Sequence, residues 1–321
     1  MRRAQGLRAY AVRRLLLLVP LVFLISVVVF LLVHMVPGGP VAALIGEHAT
    51  NTATVDAIKA RYHLNASLPS QYGAWVTQVV HGNLGTSIFT SQSVGSEIRQ
   101  RLPVSVVLNA IGLTLALLIG VPLGSLAAAR RGGRLDRMAV GLAIFLSSTP
   151  NFVMAIALLY LLCIRVTVFP LGGLGSGFVD ELYHLILPGI VMCIGPLGFV
   201  TKITRASMLE QREADYVAFA RARGISRHRI YRGYVLRNAL IPLLTASGLI
   251  VVSALTATVF VEDVFGIPGL GGLLVTSIEN TDIPVIQGLV LLIAIWVVLV
   301  NVAVDLCYVS IDPRVSFRGM K

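Results

Sequence analysis

Charge is scarce in this chain. Of its 321 residues only 13% are Asp, Glu, Lys or Arg, about half the share of an ordinary soluble domain, while 56% are hydrophobic. A fold surrounded by water needs polar side chains to cover it. A soluble globular protein is therefore excluded, as are a disordered chain and a coiled coil. Cysteine is scarce too: Cys163, Cys193 and Cys307 are odd in number and far apart. That excludes a metal cluster and a secreted disulfide scaffold, and leaves small apolar packing residues. There are three lysines, Lys59, Lys202 and Lys321, and none follows a glycine. A phosphate-cradling P-loop needs that pairing, so no ATP site is expected in this chain. The paired histidines of a zinc protease are missing. Leu174 precedes Gly175-Ser176-Gly177 where a nucleophile elbow needs glycine, so 172–177 reads as a flexible outer loop. No catalytic or metal-ligating set is expected.

What the chain has is apolar length. About twenty residues rising roughly 1.5 Å each cross a ~30 Å hydrocarbon layer. Six stretches qualify: 15–36, 104–129, 138–164, 183–200, 239–261 and 285–309. The first is too long and too uninterrupted for a cleaved leader and reads as a retained span. The net charge of +11 might suggest nucleic acid, but the basic residues sit in short loops between the apolar stretches. Twenty-one of the 26 Lys and Arg fall on one side, in 2–14, 130–137, 202–237 and 314–321. The positive-inside rule then places both termini in the cytoplasm, with an even number of crossings. The chain reads as an all-α polytopic membrane protein.

Titratable groups are nearly missing from the spans. His34 and Asp305 lie near span ends, where interface anchoring or an interhelical hydrogen bond accounts for them; Asn109 and Asn301 are uncharged. An ion-coupled secondary transporter would bury carboxylates or histidines and usually carries a two-fold repeat, and neither is seen. Small residues and prolines at Gly112, Gly120, Pro122, Gly124, Gly189, Gly195, Pro196 and Gly198 permit close helix packing and kinks.

Two connecting segments are too long to be mere loops. In 37–103, Val55, Ile58 and Tyr62 share one helical face, as do Tyr72, Trp75, Val76 and Val79. Pro37-Gly38-Gly39-Pro40 marks the exit from the membrane and Gly82-Asn83 a turn, which suggests a small helical cap on the outer surface. The segment 205–237 reads as helix, with a run of small residues ended by Gly224. An arginine-faced helix of this kind could simply bind anionic headgroups, but that does not explain the small residues.

A family resemblance runs nearly end to end. It is carried by Arg13-Arg14, Pro37-Gly38-Gly39-Pro40-Val41, Gln71-Tyr72 with Trp75, Gly82-Asn83-Leu84-Gly85 with Ser87, and Arg101-Leu102-Pro103. Its most specific part is Asp215-Tyr216-Val217-Ala218-Phe219-Ala220-Arg221-Ala222-Arg223-Gly224, followed by Leu236-Arg237-Asn238-Ala239-Leu240-Ile241-Pro242. Val261-Glu262-Asp263-Val264-Phe265, Pro268-Gly269-Leu270-Gly271, Pro284-Val285-Ile286-Gln287-Gly288 and Asp312-Pro313-Arg314 complete it. Together these resemble the permease subunit of a bacterial ABC importer of the dipeptide/oligopeptide, nickel and glutathione class. The 215–224 stretch resembles that family's EAA loop, with Ala218 where the glutamate would be.

The resemblance implies a type I importer permease fold with six transmembrane helices. It divides the chain into a span plus outer cap (1–103) and a permease domain (104–321), with a coupling helix at about 210–236. Asp215, Tyr216, Ala218, Ala220, Arg221, Gly224 and Ile225 would contact a cytoplasmic ATPase. Tyr72, Trp75, Leu84, Glu262 and Asp263 would serve the binding protein and outer gate. The implied partners are a second, homologous permease chain in a heterodimer, one or two ATPase subunits or a fused pair, an extracytoplasmic substrate-binding protein and the bilayer, with no nucleic acid. ATP and Mg would belong to the ATPase partner, and the chain itself would hold no cofactor and catalyse nothing. Peptide is the first substrate choice, with nickel, glutathione and haem as alternatives, and the inner membrane is the expected location.

Overall fold

The computed structural model describes residues 19–32, 34–35 and 65–311, with side chains as far as Val304 apart from that of residue 245. The expectations placed on Arg13-Arg14, on 37–41, on Val55, Ile58 and Tyr62, and on the side chains of Asp305 and Cys307 lie outside the described residues.

The described chain is helical apart from its turns and loops and one isolated bridge between Thr86 and Ser93. The helices are α1 (Val19–Leu32), α2 (Leu68–Val80), α3 (Val94–Ala129), α4 (Arg134–Ser148), α5 (Asn151–Leu158), α6 (Phe178–Glu213), α7 (Asp215–Ala222), α8 (Arg237–Val264), α9 (Leu270–Glu279) and α10 (Ile283–Ile311). Two π-helical segments, Leu159–Arg165 and Ile230–Leu236, continue α5 and lead into α8.

Four of these helices are long and apolar enough to cross a membrane: α3, α6, α8 and α10. The expected third stretch is not one straight rod. α4 and the 151–165 helix meet at 99° across Thr149-Pro150, and count as a fifth span only if taken together. Proline pushes the residue before it out of the helical region, and Thr149 is extended (φ −88°, ψ 125°). The described part of the first stretch, α1, is shorter than a crossing requires. α3 starts ten residues before the expected 104, running through Pro103, so the boundary at 103/104 falls inside a helix. Glu97 in its first turn favours that early start, since a carboxylate there meets the positive helix end.

The chain separates into two compact units. Among the described residues, the first comprises Val106–Ile267 and 300–311. Its centre is the seam between α3 and α6. Gly112, Ala116, Gly120 and Gly124 recur every fourth residue and so share one helix face. A Cβ at Gly112 would lie 2.6 Å from the Met192 Cβ, and one at Gly124 only 2.6 Å from the Thr201 carbonyl oxygen. The two backbones approach as closely as only small residues allow, the geometry that drives helix association where lipid is as apolar as leucine. Gly198 repeats this against α4, where a Cβ would meet the Ala143 oxygen at 2.4 Å. Behind the seam, Val200, Leu243 and Ile250 pack with Leu113, Leu117 and Val121. Leu118, Met138 and Phe145 point outward and exposed. The hydrophobic surplus in the composition therefore lies on the surface, as a lipid-facing protein requires.

The 172–177 loop in this unit is tied down. Gly173 N–H donates to the Phe265 oxygen (3.0 Å), Ser176 N–H to Asp180 Oδ2 (2.8 Å), and His184 Nδ1 lies 3.1 Å from the Gly173 oxygen. The expectation of a flexible loop rested on glycine content; the bond from Gly173 to Phe265, far away in the chain, is not visible in sequence.

Among the described residues, the second unit comprises 19–32, 34–35, 65–105 and Pro268–Leu299. Val94, Ile98, Leu273, Val285 and Leu289 form its core, with Leu84 packed against them. α1 and α2 meet through rings. Tyr72 lies 5.5 Å from Phe30 and 6.0 Å from Phe23, and Trp75 is 6.0 Å from Phe30. The Ser26 and Tyr72 hydroxyls are 2.7 Å apart, and His34 Nε2 is 3.2 Å from Gln71 Oε1. His34 thus makes the interhelical bond anticipated for it.

Candidate functional site

Most of the basic residues of the first unit gather at one end of α6. Here the sequence alone misses a division of labour. Arg205 is a structural residue: its Nε and Nη2 donate to both oxygens of Asp136 at 2.5 and 2.8 Å, and Gly132 N–H adds a third bond at 2.9 Å. Asp136 is buried. Arg212 donates to the Ala128 carbonyl at the end of α3. These two arginines fasten α6 to its neighbours, and the remaining ones face outward. The Arg131–Glu213 pair at 2.7 Å is largely exposed on both sides and contributes little.

α7 sits on this platform. Its eight residues are too few to hold a helix in isolation, so its stability comes from packing. Val217 and Ala220 are buried against Ala128, Met208, Ile230, Val235 and Ala239, with Ile225 and Tyr231 alongside. The Tyr231 hydroxyl donates to the Ser125 carbonyl. Burial pushes its phenol above the ordinary tyrosine value, against a smaller opposing pull from Arg212, which keeps it protonated as a donor.

Gly224 closes the helix. At φ +73° it occupies the left-handed region, Gly224 N–H donates to the Arg221 oxygen (3.0 Å) and Ile225 N–H to the Ala220 oxygen (3.2 Å). This pair of bonds is a Schellman cap, with Ile225 as its accompanying apolar contact.

The seven residues expected to couple to a partner are therefore gathered in one place but do not all face one way. Asp215, Ala218 and Arg221 are exposed. Tyr216 is partly so, its hydroxyl donating to Gln211 Oε1 at 2.5 Å. Ala220 and Ile225 face the chain's own core, so the smallness of Ala220 serves the seating of α7 on α6. The residue the sequence reading passed over is Phe219. It is 65% exposed at the outer face of α7, with the Arg223 guanidinium 5.8 Å from its ring centre. Its size was the available signal: a phenylalanine set among alanines and arginines. Beside α7 lies a cavity of about 620 Å³ lined by Arg212, Arg221, Arg227 and Tyr231 among others.

The five residues expected at the outer gate are divided between the two units. Tyr72 and Trp75 belong to the aromatic cluster of the second unit and Leu84 to its core, while Glu262 and Asp263 lie in the first unit. Glu262 is fully buried and unavailable to a partner as placed here; Asp263 is exposed. The acidic 262–282 segment is not a plain loop either, since it contains α9. Asp282 is also buried, accepting from Ser87 Oγ (2.5 Å), Ile88 N–H (3.2 Å) and Phe89 N–H (3.4 Å). Two of its four carboxylates are thus structural.

Comparison with known families decides the identity. The family described as "Binding-protein-dependent transport system inner membrane component" matches residues 120–317, and its N-terminal companion matches 7–109. The chain belongs to this family. It is a multi-pass inner-membrane component, the permease subunit of an ABC importer. The permease is 34% identical over 335 residues to the dipeptide transport system permease protein DppB of Escherichia coli, covering 96% of this chain and 99% of that one. A Brucella suis protein named as a peptide permease is 37% identical over 314 residues, covering 96% and 98%. In fold the permease is similar to a chain of the MetNI methionine ABC transporter in an inward-facing conformation. The TM-score is 0.57 at 18% identity, covering 67% of this chain and 96% of that one. The basic end with its exposed helix is thus the end of a transport subunit whose described residues carry no metal-ligand cluster.

Proposed function

We propose that this permease forms half of a peptide translocation pathway, with α7 as the helix through which a cytoplasmic ATPase drives it. The observation that carries this reading is Phe219: a large apolar side chain exposed on a short helix that is capped by Gly224 and bolted to α6 by Val217 and Ala220. Exposed aromatics ringed by charge are the usual anchors of protein interfaces. Arg223 lies against its ring, Asp215, Ala218 and Arg221 are exposed on the same short helix, and the arginine-lined recess beside the helix suits an acidic rim. Tyr216 and Gly224 hold the helix in position.

In this reading the chain crosses the membrane six times with both termini cytoplasmic, and residues 37–103 cap the outer surface. A second permease chain completes the pathway. A substrate-loaded binding protein docks outside, with Tyr72, Trp75 and Asp263 near its seat. ATP and Mg bind the ATPase pair, whose closure moves α7 and with it α6. The energy enters through the partners' different affinity for the inward and outward states. The naming of relatives as peptide and dipeptide permeases favours peptide over nickel, glutathione or haem.

Phe219→Glu tests the coupling. The ring lies outside the buried seat of α7 and meets the exposed Arg223, so membrane level and span assembly are expected to match wild type. Co-purification of the ATPase and peptide uptake are both expected to fall at least roughly tenfold, the loss of one interface anchor of ~1.4 kcal/mol or more. Full retention of the ATPase by Phe219→Glu would refute the docking role.

A further inference from the structure

The bend at Thr149-Pro150 falls near the middle of the 138–164 apolar stretch, and a cavity of about 660 Å³ opens beside it. The size lies within the roughly 300–1,000 Å³ of ordinary ligand sites. Besides the bend, its walls come from α6 at Gly195-Pro196 and from α8 at 249–257. The polar lining is Ser147, Thr149, Asn151, Ser253 and Thr256, and no Asp, Glu, Lys, Arg or His is among the lining residues.

Two of those hydroxyls are spent within their own helices, Thr149 on the Phe145 oxygen (2.8 Å) and Ser253 on the Ile250 oxygen (2.9 Å). The side chains of Ser147, Asn151 and Thr256 make no hydrogen bond among the described residues. A carboxamide at membrane depth without a partner is costly unless it meets water or a ligand. Irregular backbone is tolerated there only where it is buried in protein or lines a wet cavity, and broken helices form the substrate sites of many transporters. Gly195 lies opposite Asn151: a Cβ at that position would be in ordinary contact with Asn151 Oδ1, at 3.4 Å.

We infer that this cavity is a contact station for the peptide main chain, with the Asn151 amide and the Thr256 hydroxyl as its principal hydrogen-bonding groups. The inference rests on the peptide reading above and specifies what the pathway recognises. An amide offers both a donor and an acceptor, the complement of a peptide C=O and N–H, which every peptide carries whatever its side chains. A lining without formal charge neither selects nor repels acidic or basic side chains.

The test uses the complete transporter in proteoliposomes with a neutral, an acidic and a basic dipeptide. Asn151→Leu is expected to slow uptake of all three by a similar factor, roughly threefold to tenfold, as for the loss of one or two neutral hydrogen bonds. ATP hydrolysis stimulated by the loaded binding protein is expected to persist, and Asn151→Gln to recover part of the uptake. Thr256→Val, which keeps side-chain shape, carries the same expectation should Asn151→Leu fail to assemble. In Asn151→Cys, a hydrophilic maleimide is expected to label the thiol. Wild-type uptake by Asn151→Leu and Thr256→Val, a defect confined to one charge class, or labelling only by lipid-soluble reagents would overturn the inference. A wild-type transporter that imports no dipeptide would show instead that the peptide reading itself is wrong.

Discussion

Ala220→Trp is expected to abolish peptide uptake while leaving the chain in the membrane at its normal level. Ala220 is buried in a ring of Ala128, Met208, Val217, Ile230, Val235 and Ala239, with no room for an indole. Overpacking of this kind costs about 1–3 kcal/mol, more than an eight-residue helix held only by its packing can absorb. The expected result is that α7 leaves its seat and Phe219 loses its fixed direction, whereas the α3–α6 seam is untouched. Gly224→Pro is expected to act alike, since proline can adopt neither φ +73° nor the N–H bond to Arg221. Ala218→Trp separates the causes: Ala218 is exposed, so the fold should persist and any loss of transport must come from contact with a partner. The readout is vesicle uptake beside membrane-fraction yield. Normal uptake by Ala220→Trp would show that the position of α7 is irrelevant to transport.

Arg205→Met is expected to destabilise the permease by about 2 kcal/mol, because it removes the guanidinium that holds the pKa of the buried Asp136 carboxyl down at about 2 and leaves the Gly132 N–H as its hydrogen-bond donor. That is an appreciable part of a typical stability of roughly 5–15 kcal/mol. Arg205→Lys should recover only some of it, lacking the planar fork that reaches both oxygens. Replacing both partners, Asp136→Leu with Arg205→Met, is expected to restore most of the loss, because no charge is then left buried. Thermal unfolding of the detergent-solubilised chain measures all three. Equal stability of Arg205→Met and wild type would mean that this ion pair does not fasten α4 to α6.

Much of the architecture was legible because membranes impose simple rules. Apolar length marked the long helices, and small residues such as Gly112, Gly120 and Gly124 permitted close packing without saying which helix they meet. The bend at Pro150 was hidden by its surroundings: Met138 to Ile164 is apolar on both sides of it, so total length suggested a single rod. The 215–224 segment was legible as a helix ended by Gly224, but not as a surface. In Ala218-Phe219-Ala220-Arg221-Ala222 the small residues alternate with period two, and nothing local tells which of them faces inward. Burial of Ala220 is decided by Met208 and Val235, which belong to other elements. Acidic residues misled for the same reason. Glu262 and Asp282 read as surface charge beside Asp263 and Glu279, yet the carboxylate of Asp282 meets Ser87, 195 residues away in sequence. Arg205 and Arg212 counted toward orientation, and their structural bonds became visible only once α3, α4 and α6 were assembled.

The most direct test of a permease powered by its neighbour is uptake by purified components in sealed vesicles. Both permease chains, the ATPase and the binding protein together should concentrate a labelled dipeptide inside the vesicle when ATP is present. Omitting either ATP or the ATPase should reduce uptake to leakage. Concentrative uptake by this chain alone, driven by a proton or sodium gradient, would contradict the account.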